Sequence, residues 1–130
     1  MSLQVVIVTP ERTLLNETAD AAVVPLFDGE KGVLPGHART IGRLGFGELR
    51  FQSGGSTTRY YIDGGFVQIA NNEVNILTGR AVPASDIDRA EVERQLAESE
   101  KMQPENREQA ANKARFIEQA RAQLRVASSR

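Results

Sequence analysis

Glycine is confined to the first part of this chain. All 11 glycines stand at or before Gly79, and none occurs from Arg80 onward. Glycine weakens helices and is favoured where a chain turns or bulges. The early part is also rich in β-branched residues, whereas the later part is rich in Ala, Glu, Gln and Arg, which form helices well. The sequence therefore predicts a β domain over residues 1–84 and an α-helical domain over residues 85–130.

Short apolar runs separated by turn signals fill the β part. Leu3–Val8, Ala21–Leu26 and Phe66–Ile69 are such runs, and Asn71-Asn72 predicts a tight hairpin. We expect roughly eight to ten strands, enough for the sheet to close on itself or split into a sandwich. Gly42, Gly45 and Gly47 do not precede a helix, so we interpret them as turn and bulge residues rather than as a nucleotide fingerprint.

The second part predicts two helices joined by a short break. Ser85 followed three residues later by Asp88 is a helix-start signal of the capping-box type. The first helix should end near Met102, because Pro104 follows and suits the first turn of a second helix. That second helix should reach about Ala127. A short break between two helices predicts an antiparallel hairpin.

Alanine supplies half of the apolar residues in the predicted hairpin: Ala90, Ala97, Ala110, Ala111, Ala114, Ala120, Ala122 and Ala127. Each buried alanine removes little area from water, so it stabilises a contact by a fraction of what a leucine contributes. Two interpretations stay open. We infer a hairpin that is held weakly to itself and to the β domain, and it is either a movable arm or a surface element that never moves.

The composition argues against most kinds of catalytic or binding site. The chain has no Cys and one His, so it has no residues for thiol chemistry or a zinc cluster, and we expect no catalytic residue, metal or cofactor. His37 lies in a glycine-flanked loop, where we expect it to contact backbone or a partner. Asp28, Glu30 and Asp63 stand beside glycine, as turn residues do.

The charge balance argues against nucleic acid as a partner. The formal net charge is −1 and aromatic residues make up 5% of the chain, whereas nucleic-acid-binding domains are usually basic and often carry stacking platforms. The basic residues of the second predicted helix alternate with glutamates. We interpret them as a solvated face or as a face that meets an acidic protein surface.

The segment Gly32-Val33-Leu34-Pro35-Gly36-His37-Ala38 resembles a motif of the epsilon subunit of F-type ATP synthases, of the bacterial or chloroplast type. The mitochondrial delta subunit is the counterpart of that family. Further resemblances follow in order at Val5–Arg12, Asp63–Val67, Asn72–Leu77 and Ala122–Val126, so the similarity spans nearly the whole chain. Arg39 departs from the family, which usually has Pro after this motif.

The resemblance implies an α+β protein: a flattened β barrel or sandwich of ten strands, followed by the antiparallel two-helix hairpin. It also implies a non-catalytic central-stalk subunit that binds the gamma subunit and the ring of c subunits, and that couples proton or sodium flow to ATP synthesis. In the family the helical hairpin docks on the barrel, or extends toward the catalytic alpha/beta head and inhibits ATP hydrolysis.

The resemblance also assigns residues position by position. The c-ring-facing loop corresponds to Asp28, Gly29, Glu30 and Lys31. The stretch that lies against gamma corresponds to Pro35, Gly36, His37 and Ala38. The basic end of the last helix, which approaches a beta subunit when the hairpin is extended, corresponds to Arg121 and Arg125.

Some bacterial members of the family bind ATP through an Ile/Leu-Asp-x-x-Arg-Ala motif at the first helix. Asp86 and Arg89 have the right spacing, but Ser85 then occupies the aliphatic position. Starting the motif at Ile87 instead places Glu91 where the arginine belongs. Neither alignment fits fully, so we prefer helix capping as the role of this segment.

The N-terminal residues have no basic region before their apolar stretch, so we expect no signal peptide and a cytoplasmic protein. By resemblance, the subunit is peripheral at the cytoplasmic face of the bacterial inner membrane, associated through the c ring rather than through lipid. The competing hypothesis is a stand-alone β-barrel module that senses a ligand or binds another protein.

Overall fold

The computed structural model describes residues 2–128. These residues form eight strands and two α-helices: β1 (Leu3–Val8), β2 (Thr13–Ala19), β3 (Ala21–Leu26), β4 (Gly29–Val33), β5 (Thr40–Ser53), β6 (Ser56–Ala70), β7 (Glu73–Leu77), β8 (Ala81–Pro83), α1 (Arg89–Lys101) and α2 (Arg107–Ser128). A 3₁₀ turn at Ala84–Asp86 separates the two kinds of structure. The predicted fold class, a β sandwich followed by a helical hairpin, is confirmed.

Two long strands explain why the described residues form eight strands, the lower end of the predicted eight to ten and fewer than the ten that the resemblance implies. β5 and β6 have 14 and 15 residues and pair with each other from Thr40 to Ser53. Gly45 lies where the end of β3 crosses β5, and a Cβ there would lie 3.1 Å from the carbonyl oxygen of Leu26. Gly42, Gly45 and Gly47 all lie inside β5 and not in a turn, and Gly45 and Gly47 lie within a register shift between β5 and β3.

The strands form one continuous path in the order β2-β1-β7-β6-β5-β3-β4, with β8 added to β6. Their pairs are antiparallel except for β1 with β7, which is parallel. Alternate residues of the strands point inward, as β geometry requires. They share one hydrophobic core: Leu3, Val5, Ile7, Leu15, Ala19, Ala22, Val24, Val33, Leu44, Leu49, Phe51, Ile62, Val67, Ile69, Val74 and Ile76.

The tight hairpin predicted at Asn71-Asn72 is confirmed. Ala70 pairs with Glu73, and the two asparagines between them have φ values of 51° and 62°. Positive φ at both central positions is the geometry of a type I′ turn, which asparagine tolerates well. The carbonyl of Asn72 also accepts the N–H of Gln4 at 2.8 Å, which ties the turn to β1.

The predicted helical hairpin is present, but both helices begin later than expected. Asp88, not Ser85, caps α1, since its carboxylate accepts the backbone N–H of Glu91 at 3.1 Å. Asn106 caps α2 by accepting the N–H of Gln109 at 2.8 Å, so Pro104 lies in the connection and not in the first helical turn. The helix α1 packs against α2, and α2 packs on β5 and β6.

Candidate functional site

The residues assigned by resemblance to the c-ring contact lie at the end of a β hairpin and not in an irregular loop. Leu26 pairs with Gly29, so Phe27 and Asp28 form a two-residue turn between β3 and β4. Glu30 and Lys31 are strand residues. We refer to residues 26–31 as the β3–β4 tip.

Glu30 is held by an arginine of the neighbouring strand. Its carboxylate accepts two hydrogen bonds from the Arg50 guanidinium, at 2.8 and 3.3 Å. The hydrogen bond from Arg50 keeps the pKa of the Glu30 carboxyl below its usual value. Glu30 therefore stays ionised through the neutral range, and any cationic partner must compete with Arg50 for it.

Sequence reasoning missed Phe27 as a surface residue of this tip. Phe27 is 64% exposed, and the Arg43 guanidinium lies 5.6 Å from its ring centroid. An aromatic ring at a turn is large apolar area left in water, which is typical of contact surfaces. The signal available in the sequence was its position, next to Asp28 and Gly29.

The Pro35–Ala38 loop is fixed to the β6–β7 turn. The N–H of Gly36 donates to Oδ1 of Asn72 at 2.7 Å, and Gly36 has a φ of 87°. The N–H of His37 donates to the carbonyl of Leu34 at 3.1 Å, and its Nδ1 lies 2.7 Å from the carbonyl oxygen of Ala38. His37 thus contacts backbone, as expected for a loop histidine.

An exposed apolar surface continues from this loop across three strands. Ile41, Phe66 and Leu77 are 73%, 58% and 44% exposed. Arg43 pairs with Phe66 and Phe66 with Leu77, so these side chains share the outer face of β5, β6 and β7. We call Ile41, Phe66 and Leu77 the apolar face. The sequence could not reveal it, because both faces of these strands carry apolar residues.

A second interface joins α2 to the sandwich. Tyr61, Ala122 and Val126 are buried there against one another, with Phe46 and Val82 packed beside them. We call this region the docking interface. The apolar side chains that α2 buries there, Ala122 and Val126, are small, so each removes little area from water.

Polar contacts surround the small apolar centre of the docking interface. Asp63 accepts hydrogen bonds from Tyr61 and from Gln119. Arg59, on β6, donates to the carbonyl of Val126 at 2.5 Å, where the last turn of α2 has carbonyls without helical partners. Oε2 of Glu48 lies 2.6 Å from Nη2 of Arg59 and so positions this guanidinium. Sequence reasoning missed these residues, because they resemble ordinary strand charges.

The basic residues assigned to the inhibitory contact both lie on α2 but have different surroundings. Arg121 lies 3.4 Å from Glu100 and so connects the two helices. Arg125 lines a cleft of about 300 Å³ together with Glu30 and Arg50. The structure thus brings Arg125 close to the β3–β4 tip, although the resemblance assigned the two to different partners.

The candidate ATP-binding pair lies where the 3₁₀ turn passes into α1. Asp86 ends the 3₁₀ turn, and Arg89 is the first residue of the helix, with its guanidinium 3.7 Å from Glu93. Both side chains are exposed. Asp88, which lies between Asp86 and Arg89 in the sequence, has a structural role because it caps the helix.

Within residues 2–128 no three or more His, Asp or Glu side chains converge as metal ligands. Across the same range, no helix combines the length and the apolar character needed to cross a membrane.

Residues 2–84 match the family model described as the β-sandwich domain of the ATP synthase Delta/Epsilon chain. An ATP synthase epsilon chain of Rhodopirellula baltica is 48% identical over 97% of this chain and 98% of its own length. An ATP synthase epsilon chain of Leptospira interrogans is 33% identical over 97% of this chain and 95% of its own length.

Solved structures give the same result. A chain in the cryo-EM structure of the Euglena gracilis mitochondrial ATP synthase, in its OSCP/F1/c-ring assembly, superposes with a TM-score of 0.84 at 27% identity. That match covers 93% of this chain and 78% of the other. A chain of the Tetrahymena thermophila mitochondrial central stalk and c-ring shares the fold, with a TM-score of 0.70 at 15% identity over 98% of both.

These findings confirm the resemblance inferred from the sequence and do not favour the alternative of a stand-alone module. The agreement extends from the β sandwich through the helical hairpin, since the relatives are covered almost end to end. The chain belongs to the family of ATP synthase epsilon chains, the non-catalytic subunits of the rotary ATP synthase.

Proposed function

We propose that this chain joins the gamma subunit to the c ring in the central stalk and regulates ATP hydrolysis through its helical hairpin. The observation that carries the proposal is the apolar face, because large exposed side chains on three adjacent strands are typical of a subunit interface. Membership of the epsilon family and the likeness to a chain solved with F1 and a c-ring support it.

The gamma contact is assigned to the Pro35–Ala38 loop together with the adjoining apolar face. Ile41 begins this surface next to the loop, and Phe66 lies at its centre between Arg43 and Leu77. Replacing Phe66 by Ser should weaken the complex with gamma by about tenfold or more, the effect typical of a central apolar anchor.

Size-exclusion chromatography and calorimetry with the gamma subunit of the same organism test this assignment. Phe116→Ser is the matched control, since Phe116 is a similarly exposed phenylalanine, at 45%, on α2. Equal affinity of the Phe66→Ser variant and the parent would contradict the assignment. Failure of the parent to bind gamma at micromolar concentration would contradict the proposed function as a whole.

The c-ring contact is assigned to Asp28, Gly29, Glu30 and Lys31 at the β3–β4 tip. This surface is polar, with Glu30 and Arg50 paired and Phe27 exposed beside them. Polar rims of this kind suit the wet part of a subunit interface. Introduced cysteines at Asp28 and Lys31 should cross-link to the c ring in the assembled complex, whereas a cysteine at exposed Glu73, at the opposite end of β6 and β7, should not.

The regulatory part is assigned to α2, with Arg121 and Arg125 as the residues that meet an acidic surface of the alpha/beta head when the hairpin is extended. Charge-assisted contacts of this type are stronger than neutral ones. The Arg121→Ala/Arg125→Ala variant should inhibit hydrolysis less than the parent in the reconstituted complex. Arg94→Ala is the control, because Arg94 is an exposed arginine of α1 that pairs within its own helix. Undiminished inhibition by the double variant would overturn the assignment of these arginines.

The same proposal places the subunit peripherally at the cytoplasmic face of the bacterial inner membrane, held through the c ring. Fractionation supports this placement if the chain is recovered with membranes that contain the c ring and is released with F1 by low-salt extraction. Recovery in the same membrane fraction after deletion of the c ring would contradict it.

A further inference from the structure

Four charged side chains form a continuous chain of contacts between the β3–β4 tip and the end of α2. Glu30 is paired with Arg50, and the guanidinium of Arg50 lies 3.5 Å from Oε1 of Glu48. The other oxygen of Glu48 accepts from Arg59 at 2.6 Å. Arg59 in turn donates to the carbonyl of Val126.

We propose that this charge network couples the β3–β4 tip to the docking of the helical hairpin. A cationic group that replaces Arg50 as the partner of Glu30 then weakens the docked state. The network is defined by Glu30, Arg50, Glu48, Arg59 and the Val126 carbonyl. The coupling concerns this chain alone. Only its use in the assembled enzyme rests on the proposed function, in which the β3–β4 tip meets a partner.

Competition for one carboxylate provides the coupling. The Glu48 side chain is 11% exposed and lies between two guanidiniums, of which Arg59 is the nearer. While Glu30 holds Arg50 in a two-point contact, Glu48 is left to orient Arg59. If another cation pairs with Glu30, Arg50 is free to move closer to Glu48, from which it now lies 3.5 Å away. Arg59 then loses its ion pair with Glu48, which orients its guanidinium toward α2.

The helical hairpin is able to respond, because few contacts hold it on the sandwich. Val92 is the one buried residue of α1, and that helix packs against α2 rather than on the strands. The docking interface buries Ala122 and Val126 against Tyr61, together with a handful of polar contacts. Loss of one charge-assisted hydrogen bond to the end of α2 therefore removes a substantial part of what holds the hairpin.

The absence of cysteine makes a direct measurement possible. Ala122 is fully buried in the docking interface, so a thiol at Ala122→Cys reacts with a thiol reagent only when the hairpin opens. The reaction rate then reports the opening equilibrium, even when the open state is rare. A separate Ala22→Cys protein, with its thiol in the sandwich core, reports global unfolding. A Val126→Cys reporter repeats the measurement at a second buried position.

The coupling predicts a specific order of reactivities in the isolated full-length chain. Arg59→Gln should raise the Ala122→Cys reaction rate about tenfold, which is about 1.4 kcal/mol of docking free energy. Glu30→Gln should raise it about fivefold, the lower end of usual coupling effects. Combining Glu30→Gln with Arg50→Gln should return the rate to the parental value, because the competitor for Glu48 is gone.

Each comparison has an outcome that overturns the proposal. An unchanged rate in Arg59→Gln would show that the hydrogen bond from Arg59 to α2 does not hold the hairpin in its docked state. An unchanged rate in Glu30→Gln would show that the β3–β4 tip and the docking of the hairpin are not coupled. An increase that persists in the Glu30→Gln/Arg50→Gln variant would show the same. Arg94→Gln is the matched control and should leave the rate unchanged. None of these results depends on binding to gamma or the c ring, so they are distinguishable from failure of the proposed function.

Discussion

The hydroxyl of Tyr61 donates a hydrogen bond to Oδ1 of Asp63 at 3.0 Å, and the tyrosine side chain is fully buried beneath α2. The same oxygen accepts from Nε2 of Gln119 at 2.9 Å, so one carboxylate connects the sandwich to the helix. Leaving a buried polar group without its partner costs more free energy than the hydrogen bond itself contributes to stability.

Asp63→Ala should lower the free energy of unfolding by about 2 kcal/mol, because it leaves the Tyr61 hydroxyl and the Gln119 amide without their acceptor. Denaturant titration of the full chain measures this change. Glu73→Ala is the control, since that carboxylate accepts one bond from Asn75 at the surface and its loss should change stability by about 0.5 kcal/mol or less. Equal effects of the two variants would refute the structural role of Asp63.

Stability should also fall in alkaline solution through Tyr61. Burial, assisted by the adjacent Asp63 carboxylate, raises the pKa of the Tyr61 hydroxyl above its ordinary value. Above pH of about 10 the unfolded chain loses this proton while the folded chain keeps it, so the unfolded state is favoured as the pH rises.

The expected slope from this group approaches about 1.4 kcal/mol per pH unit above pH 10. Unfolding free energies between pH 8 and pH 11 measure it. Tyr61→Phe should reduce the slope, and Tyr60→Phe, at a more exposed site where burial also raises the pKa, should reduce it less. A Tyr61→Phe protein with the parental slope would show that this hydroxyl does not carry the effect.

The division into sandwich and hairpin was predictable because it depends on local chemistry. Glycine and β-branched residues exclude long helices from the first part, and the Asn71-Asn72 turn needs only residues that tolerate positive φ. The start of α1 was predicted too early, because Ser85 and Asp88 are both good capping residues and only tertiary placement selects Asp88.

The contacts that define the surfaces were not predictable from local patterns. Arg59 and Val126 are 67 positions apart, and nothing near either residue in the sequence indicates that they meet. The apolar face was hidden for a different reason: Phe66 and Val67 are both apolar, so alternation does not reveal which one is exposed. The proximity of Arg125 to Glu30 likewise depends on how α2 crosses the sandwich.

Gly65 should be one of the least replaceable residues of the sandwich. Its φ is 105°, and a Cβ there would lie 2.0 Å from the carbonyl oxygen of Leu77, which is backbone and cannot move aside cheaply. Gly65→Ala should therefore destabilise the chain by more than about 3 kcal/mol or prevent folding.

Gly79→Ala is the matched control for that prediction. Nothing lies within 4 Å of a Cβ at Gly79, so this change should be neutral or slightly stabilising. Thermal unfolding followed by circular dichroism compares the two variants. A Gly65→Ala protein that melts with the parent would contradict the close approach of β6 to the end of β7.

We expect residues 1–84 to fold without the helical hairpin. The main core draws its buried residues from Leu3 to Ile76, and none of them belongs to α1 or α2. Removal of residues 85–130 exposes Tyr61 and frees Arg59 from the helix end, so the fragment should unfold cooperatively but at a lower temperature than the full chain.

A fragment that ends at Ala70 is the matched negative control for this truncation. It lacks β7, which pairs with both β1 and β6 and supplies Val74 and Ile76 to the core. Far-ultraviolet circular dichroism with thermal melting should show a β-sheet transition for residues 1–84 and none for residues 1–70. Absence of a transition in the longer fragment would mean that the sandwich needs the helical hairpin to fold, and that the two parts are one cooperative unit.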